Sequence, residues 1–119
     1  MVFTQKHCVP CEGGIAPYTK EQAQEYLKAV EGWKLLASQG DSLEPMKLQR
    51  KFVFKNFKEA MTFVNKIADL ANSEDHHPDI NIHSFKKVDI TLYTHAIGGL
   101  SENDFIMAAK INHLYDRGI

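Results

Sequence analysis

Asn72-Ser73-Glu74-Asp75-His76-His77-Pro78-Asp79-Ile80-Asn81-Ile82, followed after Lys86-Lys87 by Val88-Asp89-Ile90-Thr91-Leu92-Tyr93-Thr94-His95, is the stretch on which the reading of this chain turns. Pro78 has no backbone N–H, and its ring steers His77 out of the helical region, so a helix ends just before the two histidines. The chain then runs extended. Val88, Ile90, Leu92 and Thr94 share one face of a strand, and Asp89, Thr91, Tyr93 and His95 share the other. The first face is apolar enough to be core. His95 therefore lies on the polar face or at the strand's end, within reach of a ligand.

Four of the chain's six histidines fall in this stretch, so it concentrates the groups that titrate near neutral pH. His76 and His77 are neighbours in extended chain and point to opposite faces. That suits them poorly to one metal ion, because strand ligands come at i and i+2 and helix ligands at i and i+4. Two differently aimed imidazoles suit two tasks in one pocket. The chain has no Gly-rich phosphate loop and no nucleophile elbow, so imidazole points to proton transfer rather than covalent catalysis.

Working outward, residues 19–30 predict a helix, with Thr19 and Gln22 as a capping box and Ala23, Tyr26, Leu27 and Val30 on one face. Gly32 ends it. A short strand over 33–36 follows. Residues 37–45 form a hairpin loop, and 47–55 the partner strand. There Leu48, Phe52 and Phe54 face one way with Arg50, while Gln49, Lys51, Val53 and Lys55 face water. Residues 56–72 predict the longest helix, capped by Asn56 with Glu59 three residues on. Its apolar stripe is Phe57, Ala60, Met61, Val64, Ile67, Ala68 and Ala71, widened by Phe63 and Leu70. Strands over 80–85, with Ile80 and Ile82 inward, and over 88–95 are joined by a turn at Lys86-Lys87. Ser101, with Asp104 three residues later, opens a last helix that buries Met107, Ile111, Leu114 and Tyr115. The order α-β-β-α-β-β-α predicts an α+β fold, a single four-stranded antiparallel sheet with helices packed on one face.

At 119 residues the chain is one domain, and 44% hydrophobic with 24% charged residues is an ordinary globular balance. A net charge of −1 gives no reason to expect nucleic acid or an anionic membrane as partner. No apolar run is long enough to span a bilayer. The first seven residues lack a signal-peptide layout, so a cytoplasmic protein with reduced cysteines is expected. Residues 1–16 have no period and are expected to be an irregular leader, with residues 17–119 as the domain. Cys8 and Cys11 form a CxxC that reads as half a zinc site with His7, as a redox pair, or as a plain leader. A structural zinc needs four ligands and there is no second CxxC. A redox CxxC follows a strand and opens a helix, which this one does not.

Taken in order, several runs resemble one family. They are Gly32-Trp33, Leu48-Gln49-Arg50-Lys51-Phe52-Val53-Phe54-Lys55-Asn56-Phe57, His76-His77-Pro78-Asp79-Ile80, Val88-Asp89-Ile90-Thr91-Leu92, Thr94-His95 and Gly99-Leu100-Ser101-Glu102-Asn103-Asp104. Together they resemble pterin-4a-carbinolamine dehydratase over roughly residues 17 to 117. The Cys8–Gly14 leader is similar to that of bacterial and plant-type members. The resemblance implies the same fold and a dehydratase acting on 4a-hydroxytetrahydrobiopterin, in tetrahydrobiopterin recycling beside an aromatic amino-acid hydroxylase, with no metal and no cofactor. It implies His76 and His95 as general acid and base, and His77 as a pterin-binding residue that tunes them. Asp75, Pro78, Tyr93 and Thr94 would line the pocket, and Trp33, otherwise a core residue, would lie near it. Asp104 either supports a catalytic histidine or only completes the helix cap.

Many members carry Glu where this chain has Asn72, a departure that weakens any charge the position supplies to a histidine. His7, His83 and His113 read as surface residues. Glu74 and Asp79 could orient an imidazole but read as solvated. The resemblance also implies a homodimer or homotetramer. The alternative is a non-catalytic pterin-binding, protein-assembly or transcriptional-coactivator module of the same fold.

Overall fold

The computed structural model describes residues 3–9, 16–36 and 46–118. The hairpin loop expected over 37–45 lies outside them. Helix α1 (Lys20–Leu27) starts at Thr19, whose side chain and that of Gln22 form the capping box. It stops three residues earlier than its apolar spacing predicts, and turns through 28–32 tuck Val30 into the core. Gly32 then takes φ +84°, and a β-carbon there would come within 2.7 Å of the Arg50 guanidinium. The position needs glycine for conformation and for room.

Strands β1 (Lys34–Leu36), β2 (Lys47–Val53), β3 (Asp79–His83) and β4 (Lys87–Leu92) form one antiparallel sheet in the order β1-β2-β4-β3. The register sets Leu48 opposite Leu92, Arg50 opposite Ile90 and Phe52 opposite Val88. Leu48, Phe52, Val88, Ile90 and Leu92 are all at most 2% exposed, which identifies the face the helices cover. Each such side chain contributes about 1.5–3 kcal/mol by leaving water. Arg50 shares that parity without being an unpaired buried charge. Its guanidinium lies over the rings of Phe52 and Tyr115 and donates to Asn112 Oδ1 and the Glu31 carbonyl.

Helix α2 (Phe57–Glu74) is capped by Asn56, whose side chain accepts the Glu59 N–H at 2.9 Å. Its buried line is Ala60, Phe63, Ile67, Ala71 and Glu74. The expected stripe was therefore centred too far round the helix: Phe57 is 54% exposed and Ala68 is exposed. Helix α3 (Glu102–Asp116) buries almost its whole first half, Asn103 through Ala108, because that half runs through the core and not along its rim.

Two expectations change at β3. Ile80 and Ile82 do face inward, opposite Ile90 and Val88, but β3 is an edge strand beyond the helices' cover. Ile80 remains 36% exposed. The β3–β4 turn is also earlier than Lys86-Lys87: it runs through Ser84 and Phe85, both at positive φ, because Lys87 already pairs with His83.

Candidate active site

At the C-terminus of α2 the chain reverses through Asp75, in the left-handed conformation at φ 53°. The N–H groups of Asp75 and His76 both return to the Ala71 carbonyl. Aspartate tolerates this region better than most side chains. The turn aims His76 at the start of α3. Its Nε2 lies 2.8 Å from Asp104 Oδ1, with the imidazole 11% and the carboxylate 0% exposed. The other carboxylate oxygen, Asp104 Oδ2, accepts the Thr94 hydroxyl at 2.8 Å and the Ser101 N–H at 2.9 Å. Asp104 therefore completes the capping box of α3 and holds the His76 ring with the same carboxylate. A carboxylate only accepts, so it fixes the proton on Nε2 and leaves Nδ1 as the nitrogen open to exchange.

His77 is exposed, and its Nε2 lies 3.1 Å from Asn72 Oδ1. The residue that departs from the family's usual Glu is thus the imidazole's direct partner.

His95 does not close the strand as expected. Strand β4 ends at Leu92, Thr94 bridges to Gly99, and His95 opens a 3-10 turn through Ile97. Its ring centroid is 3.9 Å from that of Tyr93, which lies under the Lys47 ammonium at 4.7 Å.

These elements enclose a cleft of about 460 Å³ lined by His76, His77, His95, Asp75, Tyr93 and Thr94. Pro78 and Asp79 continue the wall. Of the expected pocket residues Trp33 alone stands elsewhere. It is 5% exposed, its indole N–H donates to Asn112 Oδ1 at 2.8 Å, and it lines no part of the cleft. A larger groove of about 600 Å³, near Lys66, Leu70, Leu114 and Arg117, holds no imidazole.

The cleft also contains residues that sequence reasoning missed: Val9, Ala96 and Asn103. Val9 belongs to an N-terminal strap. A 3-10 turn at Phe3–Gln5 buries Phe3 among Tyr26 and Phe105, and Lys6 pairs with Glu102 at 3.3 Å. Glu74, expected to be solvated, is buried beneath the strap. Its carboxylate accepts from Lys110 Nζ at 2.9 Å, the Cys8 N–H at 3.2 Å and His7 Nδ1 at 3.0 Å. The signal was available, since Glu74 extends the 60-63-67-71 line of α2. Cys11, and with it the CxxC spacing, lies outside the described residues. Among those residues no group of three His, Cys, Asp or Glu side chains is placed to hold a metal.

Burial alone would raise the Glu74 pKa, but the hydrogen bonds from His7, Lys110 and Cys8 outweigh it and hold the carboxyl down at about 2. A depressed carboxylate pKa stabilises the fold fully above its ordinary value of 4.5, and the contribution is lost as pH falls from there through 2. It is worth at most about 3 kcal/mol, less whatever water screens at exposed His7. Hydrogen exchange at the Cys8 amide is therefore expected to lose protection across that window. Glu74→Gln should abolish the pH dependence, and an identical profile in that variant would refute the assignment.

The structure is an α+β domain with three imidazoles gathered at one open cleft, an arrangement able to carry acid/base chemistry. The sequence model of the pterin 4 alpha carbinolamine dehydratase family matches residues 16–114, and this chain belongs to that family. It is 42% identical over 114 residues to a relative from Halorhodospira halophila named for that dehydratase, covering 96% of this chain and 98% of the relative. It is 46% identical to the mitochondrial pterin-4-alpha-carbinolamine dehydratase 2 of Arabidopsis thaliana, over 94% of this chain and 58% of the longer plant protein. Among solved structures, the transcriptional coactivator/pterin dehydratase of Brucella melitensis superimposes with a TM-score of 0.71 at 35% identity, over 82% of this chain and 97% of that one. No helix among the described residues is long and apolar enough to cross a membrane.

Proposed function

We propose that this chain dehydrates 4a-hydroxytetrahydropterins, with tetrahydrobiopterin the pterin to be recycled and an aromatic amino-acid hydroxylase the source of substrate. In this reaction the C4a–O bond breaks and the departing oxygen takes a proton, leaving as water. A ring nitrogen gives up its proton and a C=N bond forms, so the quinonoid dihydropterin results without redox change. The step needs an acid at the oxygen and a base at the nitrogen, both poised near neutral pH. His76 and His95 take these parts, and His77 binds the heterocycle.

The observation that carries this reading is the His76–Asp104 contact at the cleft wall, where a buried carboxylate orients an imidazole beside two others. The Brucella melitensis protein is named both a transcriptional coactivator and a pterin dehydratase, so a non-catalytic module is the competing reading. The test is dehydration of 4a-hydroxytetrahydropterin generated in situ by a hydroxylase and followed by absorbance. Acceleration by wild type that is lost in His95→Ala supports the enzyme. A rate no better than buffer would leave the module.

A further inference from the structure

We infer that the N-terminal strap is part of the substrate site: Val9, clamped by Asn103, forms an apolar wall against which the flat heterocycle packs, a role that rests on the dehydratase reading above. The strap is over-anchored for a loose terminus. Phe3 is 3% exposed in an aromatic cluster, Lys6 reaches Glu102, and the Cys8 N–H reaches buried Glu74. The last anchor is reciprocal. Asn103 accepts the Val9 N–H at 3.0 Å and donates its own amide to the Val9 carbonyl at 2.6 Å, as a paired strand would. Asn103 is 3% exposed, so a buried amide holds a residue 94 positions away in the chain.

That residue is left open to water. Val9 is 66% exposed although it stands at the cleft. Packing does not require a valine there, since Phe3 already seats the strap. The rest of the cleft is rich in imidazole, carboxylate and hydroxyl, and among the described residues Val9, Pro78 and Ala96 supply aliphatic surface. A flat bicyclic ligand needs such surface against its faces, with polar groups at its edges. Val9 thus touches substrate, and Asn103 is a positioning residue acting through it.

The test uses the full chain and two readouts: calorimetric binding of 7,8-dihydrobiopterin, a stable dihydropterin, and KM and kcat for dehydration. Trimming one or two methyl groups from an apolar contact changes affinity about tenfold or more. Val9→Ala is expected to weaken dihydropterin binding and raise KM about tenfold, with a smaller fall in kcat, and Val9→Ile to recover most of the loss. Asn103→Ala should move KM the same way while deprotecting the Val9 amide in hydrogen exchange. Binding and KM within twofold of wild type in Val9→Ala would overturn the strap's role and leave the dehydratase standing. Binding that weakens in Val9→Ala, in a protein that dehydrates nothing, would uphold the wall and remove the enzyme. Wild type that neither binds nor dehydrates would overturn both.

Discussion

His76→Ala is expected to lower kcat for dehydration about 10²- to 10⁴-fold, the range for losing one positioned proton-transfer group. The structure gives a reason to expect the upper part of that range. His76 is the imidazole whose orientation is fixed by a fully buried carboxylate, at 2.8 Å, so no rotamer search precedes proton transfer. His77, held by a neutral amide and exposed, is a weaker candidate for that step. Steady-state kinetics with a folding check by circular dichroism would decide. A drop of less than tenfold in a folded variant would move the acid/base role to the other imidazoles.

Asp104→Ala is expected to cost stability and activity together. The carboxylate is 0% exposed and satisfies three groups: His76, the Thr94 hydroxyl and the Ser101 N–H. Its removal takes a shared, fully buried acceptor from all three, at about 1–3 kcal/mol for each buried group so stranded. Because Thr94 retains its contact with Ser101 Oγ, the expected total is about 3–5 kcal/mol and not the full sum. Denaturant unfolding would measure it. Asp104→Asn keeps the volume but presents a donor amide where only acceptors stood. It should recover part of the stability and little of the activity, since His76 loses its charged partner. Recovery of both would mean that Asp104 acts only as a helix cap.

Much of the fold was legible because it rests on short-range physics. Pro78 stops a helix, Asn56 and Thr19 start theirs with side-chain caps, and the Val88-Ile90-Leu92 alternation identifies the buried face of β4. Where the reading drifted, tertiary context was responsible. Ile80 has inward parity yet stays wet, because being on an edge strand is a property of sheet order and not of the strand. The α2 stripe was centred by including Phe57 and Ala68. A helical wheel with excess apolar residues does not say which of them the sheet will cover.

The site divides the same way. The candidate histidines, and Asp104 as either cap or support, could be named from their order along the chain. That Asp104 does both at once required the register between α3, Thr94 and the His76 turn. That Trp33 serves Asn112 and not the cleft likewise follows from how the elements dock, while Asn72 meets His77 across the local turn at Asp75. Val9 and Asn103 carried no local mark of the cleft they line, because what brings them together is a contact between segments 94 residues apart. The sequence by itself determined the elements, the family and the imidazoles, since those depend on neighbours along the chain. Only the tertiary structure decided that His76 meets the Asp104 carboxylate and which distant segment walls the cleft, because burial and hydrogen bonding depend on neighbours in space.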